Sequence, residues 1–157
     1  MARSAKVNPL HLVVAVLTAP LVCLGLPLLV PSLRAWLMDA SEFVPRTDCG
    51  TGWTTGMVSW AEISDTMIFM CYVVLSVALF YWYELTAAQL SRREAVAVAI
   101  WSAFVFACGL THLTGRMMFG FPCYRLDTLV RSYCALASVA AVVHAPILLR
   151  MDTWFRT

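Results

Sequence analysis

Charge is what this sequence has least of. Only 13% of its 157 residues are charged, against the roughly 25% usual in a soluble domain, and those charges fall between long apolar stretches. A separate water-soluble domain does not fit that layout; one compact membrane domain does. Runs of lysine or arginine are also missing. With a formal charge of +2 and nothing able to neutralise several phosphates together, nucleic acid is excluded as a partner. A signal-peptide cleavage site is missing too. The first apolar stretch follows Arg3 and Lys6, but its core of about 20 residues exceeds the 7 to 15 of a signal sequence, so it reads as a retained span.

What is present is hydrophobicity, 61% of residues, in segments near the roughly 20 residues that carry a helix across hydrocarbon. The sequence predicts an all-α integral membrane bundle of four transmembrane helices, about 10–30, 63–85, 95–117 and 128–149. Pro20, Pro27 and Pro31 kink or end the first, which a span tolerates when neighbours satisfy the freed carbonyls. Residues 1–31 form the N-terminal transmembrane segment. Residues 32–62, with Asp48, Cys49, Gly50, Gly52 and Gly56, form a polar extracytoplasmic loop. Trp53 and Trp60 before the second span, and Tyr81, Trp82 and Tyr83 at its end, suit interfacial aromatic belts.

Ser91 and Glu94 are spaced as a capping box opening the third span, and Asp127 is placed to cap the fourth. Arg3 and Lys6, Arg92 and Arg93, and Arg150 and Arg156 share one side of a four-span chain. That side is expected to be cytoplasmic, with 150–157 as a tail. Ala95, Ala99, Ala103 and Ala107 in the third span, and Ala137, Ala141 and Ala145 in the fourth, form small-residue stripes that let helices approach closely.

Polar side chains are costly in hydrocarbon, so Asp65, Cys108, His112, Arg131 and His144 each require a reason. Counting rise per residue puts Asp65 and His112 at one depth, with Tyr72 about 10 Å deeper, near the level of Cys108. Cys108 and His112 are four apart and share a helix face, so they can ligate one ion. The alternative is a small buried hydrophobe beside a hydrogen-bonding histidine. A thiolate with a soft monovalent ion is neutral, which favours copper(I). Asp65 either accepts a hydrogen bond from the far nitrogen of His112 or caps its own helix. His144 lies at the opposite depth, roughly 20 Å away by helix rise, which disfavours a shared haem. Arg131 reads as an interfacial anchor. Cys49 and Cys123, in polar connections, are the pair placed for an ordinary disulfide.

Ile63-Ser64-Asp65 followed by Tyr72, and Cys108-Gly109-Leu110-Thr111-His112-Leu113, resemble the transmembrane sensor domain of ethylene receptors. The likeness runs from about Trp60 to Leu149, with 63–149 as the three-helix ethylene- and copper-binding domain. The resemblance implies copper(I) held by Cys108 and His112, and ethylene-binding or signalling roles for Asp65 and Tyr72. Leu75 and Val105 would line the olefin pocket. It implies no catalytic turnover, a homodimer linked through Cys49 if that cysteine is not paired with Cys123, and a cytoplasmic output module or separate signalling partner.

The sequence departs from that family at Ser76, where a proline is usual, and at Ala78, where the family has an acidic residue. Its third-span lysine falls on Cys134 by gapless counting, or on Arg131 with a short deletion. A second expectation is a membrane copper carrier, with Met57, Met67, Met70, Met117 and Met118 passing the ion along.

Overall fold

The computed structural model describes residues 25, 28–48, 52–86 and 88–147, and the backbone of 148–150. Its elements are all helical: α1 (Pro31–Leu37), α2 (Thr55–Thr86), α3 (Arg92–Gly120) and α4 (Tyr124–Arg150). Three of them, α2, α3 and α4, are long and apolar enough to cross a membrane, which makes this a multi-pass membrane protein.

α1 has seven residues and opens with Pro31 in its first turn, where the missing N–H costs nothing. At 1.5 Å per residue it spans about 10 Å and cannot cross a bilayer, so it is not a fourth span. The span expected at about 10–30 lies for the most part outside the described residues.

The three long helices exceed their expected limits at both ends. The 32 residues of α2 run about 48 Å, against a hydrocarbon core of roughly 30 Å. Its Thr55 end therefore projects beyond the core, through residues that Gly56 and the polar neighbours made look like loop. Thr54 Oγ1 accepts the Met57 N–H at 3.3 Å there, satisfying one of the free amides of the first turn. Trp60 and Tyr81 are exposed near the two ends of α2, while Tyr83 is buried against Ala95 and Val98.

α3 begins as its sequence requires. Ser91 Oγ accepts the Glu94 N–H at 3.4 Å and Glu94 Oε2 accepts the Ser91 N–H at 2.7 Å, closing the capping box. α3 is the central helix: α2 packs on one flank and α4 on the other, while α2 and α4 make only marginal contact. The small-residue stripe is the reason α3 can serve two neighbours, with Ala95, Ala99 and Ala107 buried, and Ala141 of α4 buried opposite.

Residues 38–48, together with Trp53, close over the turn between α3 and α4. Arg125 donates from Nη1 to Trp36 O at 3.0 Å and to Asp39 Oδ2 at 3.1 Å, and from Nη2 to Glu42 Oε2 at 3.0 Å. Its guanidinium also lies over the rings of Trp36 and Phe43. Arg46 N–H donates to Met118 O at 2.9 Å, and Trp53 meets Phe119 edge to face.

Asp127 does not cap α4. Its backbone N–H already reaches Cys123 O at 3.0 Å, and its buried side chain bridges helices: Thr114 Oγ1 donates to Oδ1 and Arg131 Nε to Oδ2, each at 2.6 Å. Arg131 is thus half of an ion pair as well as an exposed anchor.

Candidate metal and ligand site

The α2–α3 contact is built around Gly109. A Cβ on that residue would stand 3.0 Å from Tyr72 Cβ and 3.6 Å from Phe69 Cδ2, so only glycine lets the two backbones come this near without displacement. One turn toward residues 38–48, His112 Nδ1 lies 2.9 Å from Asp65 Oδ1. A carboxylate only accepts, so Nδ1 carries the shared proton, and in the neutral ring Nε2 keeps its lone pair. Tyr72 stacks on the same imidazole, with centroids 6.1 Å apart and planes 21° apart. Gly115, one turn further, leaves room for the Asp65 carboxylate; a Cβ there would meet Oδ2 at 3.4 Å.

Depth counting expects Asp65, Tyr72, Cys108 and His112 to meet; the structure brings Asp65 and Tyr72 to His112 and not to Cys108, and of the two roles open to Asp65 it displays the bond to His112. Thr111 fixes the backbone between the two candidate ligands, its Oγ1 donating to Cys108 O at 2.7 Å. Ser76, in place of the proline, is buried and donates to Tyr72 O at 2.8 Å.

Cys108 faces the other flank. Its Sγ lies 3.6 Å from Cys134 Sγ of α4, and both are free thiols. Among the described residues, no three His, Cys, Asp or Glu side chains converge closely enough to hold an ion. The donors come as two pairs, one on each side of α3. Cys134 is the residue that sequence reasoning did not bring to the site. Its signal was available: Cys108 and Cys134 lie at nearly equal distances in sequence from the tight turn at Phe121–Cys123, which gives them one depth in an antiparallel hairpin.

Leu75 lies on the outward face of α2, 51% exposed, and Val105 is half-buried on α3. Met57, Met67 and Met70 are exposed on α2, Met117 is half-buried on α3 and Met118 is buried beneath residues 38–48. His144 Nδ1 donates to Ala140 O of its own helix at 2.9 Å, and the ring borders an open groove of about 310 Å³ with Arg92 and Arg93 at the opposite end of the bundle. Cys123 is a free thiol with no exposed surface, and burial pushes its pKa up. Cys49, its expected disulfide partner, lies outside the described residues.

The donor chemistry fits copper(I): soft sulfur on Cys108 and an imidazole nitrogen left bare on His112, one helical turn apart, suit an ion content with few ligands. Searches of the curated proteins and of the solved structures return no significant match. The family model described as the ethylene receptor 1-like N-terminal domain matches residues 56–151, well over half of the chain and all three long helices. That domain is a non-catalytic membrane sensor, and with its Ile-Ser-Asp and Cys-Gly-Leu-Thr-His segments joined across one helix contact, the chain belongs to the ethylene receptor 1-like N-terminal domain family.

Proposed function

We propose that this protein is a copper(I)-dependent ethylene sensor, in which Cys108 and His112 hold the ion and Asp65 and Tyr72 govern the histidine. The observation that carries this reading is the bond from His112 Nδ1 to Asp65 Oδ1 at 2.9 Å. It leaves Nε2 as the free donor and holds the ring against rotation, as carboxylate partners do for metal-binding histidines elsewhere. Copper(I), when bound, supplies a filled d shell that donates into the π* orbital of an alkene, a handle on ethylene that side chains lack.

The residues of this chain do the rest. Tyr72 stacks beside the imidazole, with ring centroids 6.1 Å apart. Leu75 and Val105 are the apolar side chains proposed to line the olefin site, Leu75 from the open face of α2. That face, bearing Met67, Met70, Val74 and Leu75 all more than half exposed, is where a second copy of the chain would pack in the proposed homodimer. The signal passes from the α4 end to a cytoplasmic output module or a separate partner.

The test is saturable binding of labelled ethylene to membranes carrying the protein, with and without added copper(I). Binding that requires copper and disappears in Cys108→Ser and His112→Ala is expected. Undiminished binding in either variant removes that residue from the site.

A further inference from the structure

Two thiols 3.6 Å apart across a helix interface need an explanation that packing does not give. Cysteine is a small hydrophobe with only a weak S–H donor, and any small apolar residue would fill either position. Neither thiol is consumed in a disulfide. Both stand inside the span, on helices that pack against each other.

The separation matches a shared soft ion. Sulfur ligands at about 2.3 Å from a metal stand roughly 3.8 Å apart at a tetrahedral angle and roughly 4.0 Å at a trigonal one. A spread of a few tenths of an ångström would admit the ion, within reach of a rotamer adjustment. His112 lies one turn along α3 from Cys108 and about 40° around the helix, with its Nδ1 committed to Asp65.

Resting on the copper reading above, we infer that Cys134 is a copper(I) ligand, so that this chain offers the ion two sulfurs, Cys108 from α3 and Cys134 from α4. Thiolate sulfur suits copper(I), and as ligands both cysteines would bind as thiolates. Ligation across the interface also joins α3 to α4, so copper occupancy fixes the distance between those helices.

The experiment uses the full chain in detergent under anaerobic, reducing conditions, loaded with copper(I) and compared with Cys134→Ser and Cys108→Ser. Sulfur coordination is counted by copper-edge X-ray absorption, and copper(I) affinity is measured by competition with a colorimetric chelator. Two sulfurs per copper in the wild type, falling to one in Cys134→Ser with affinity weakened at least about 10-fold, is the expected result; loss of a supporting partner alone costs that much. The wild-type sulfur count decides the matter even if a variant misfolds. One sulfur in the wild type, or unchanged affinity in folded Cys134→Ser, overturns the role of Cys134 and leaves the Cys108–His112 reading standing. No copper(I) bound by the wild type overturns both.

Discussion

His112 and Asp65, 47 residues apart in the sequence, are joined by a 2.9 Å hydrogen bond between α3 and α2. The bond fixes which imidazole nitrogen is free, so its loss is expected to act through the metal rather than through the fold. Asp65→Asn keeps the size but replaces the charged acceptor with a neutral amide oxygen, which weakens the bond from Nδ1–H. Copper(I) affinity is expected to fall about 10- to 100-fold with the helical content unchanged, read by chelator competition alongside circular dichroism. Equal affinity in the two proteins would detach Asp65 from the site.

Gly109 sets the α2–α3 distance, and three glycine substitutions grade the claim. Gly109→Ala places a Cβ 3.0 Å from Tyr72 Cβ, Gly115→Ala places one 3.4 Å from Asp65 Oδ2, and at Gly120 nothing lies within 4 Å. Overpacking at the first is expected to cost about 1–3 kcal/mol, while the last is neutral or slightly stabilising. Thermal unfolding in detergent should rank them Gly109→Ala least stable, Gly115→Ala between, Gly120→Ala close to wild type.

The polar residues of the site were legible because hydrocarbon makes them conspicuous and helix rise converts sequence separation into depth. That is how Asp65 and His112 were placed level with one another. Rotation about the helix axis is not legible in the same way. Cys108 and His112 are separated by about 40° on α3, enough for one to meet α4 and the other α2 once α3 becomes the central helix. Cys134 was weighed only as a counterpart of the family's third-span lysine, because a thiol in an apolar segment raises no charge penalty to notice. The ends of the helices were also misjudged: Gly56 and its polar neighbours suggest a loop, yet α2 runs through them from Thr55, its first turn held by the Met57 N–H bond to Thr54 Oγ1. Asp127 has the identity and position of a cap, and only the packing of Thr114 opposite it reveals a buried bridge.

That bridge predicts a graded loss of stability. Asp127 accepts from Thr114 and from Arg131, each at 2.6 Å, and its side chain is 7% exposed while that of Arg131 is 56% exposed. Thr114→Val leaves the carboxylate with one partner fewer and is expected to cost about 1–3 kcal/mol. Arg131→Gln, with its charge largely screened, is expected to cost less than about 1 kcal/mol. A double-mutant cycle between Thr114 and Asp127, followed by thermal unfolding, separates the bond from the burial; a coupling of zero would mean the contact contributes nothing.

Residues 38–48 are expected to loosen in acid. The Ser41 contacts, the backbone N–H donating to Asp39 Oδ1 at 3.0 Å, and then Arg125 hold the Asp39 carboxyl below its ordinary 3.8. A carboxyl lowered on folding contributes stability above the unfolded value and loses it as pH falls through the folded one. Hydrogen exchange in residues 38–48 should therefore be insensitive to pH from neutrality down to about 4, after correction for intrinsic rates, and rise below it. Asp39→Asn should flatten that rise; an unaltered profile would assign it to another carboxylate.

Cys123 is expected to be the slowest thiol to react. It has no exposed surface, and burial, the largest influence on it, raises its pKa and keeps it in the unreactive thiol form. The sign matters for stability as well: a group whose pKa is raised on folding contributes below its unfolded value and loses that contribution as pH rises through the folded one. A membrane-permeant maleimide should label Cys71, which is exposed on α2, well before Cys123. The same experiment decides the fate of the Cys49–Cys123 pair. A Cys123 that becomes reactive on denaturation without reductant is free and sheltered by the turn between α3 and α4; one that needs reductant is disulfide-bonded, which would leave Cys49 unable to link two copies of the chain.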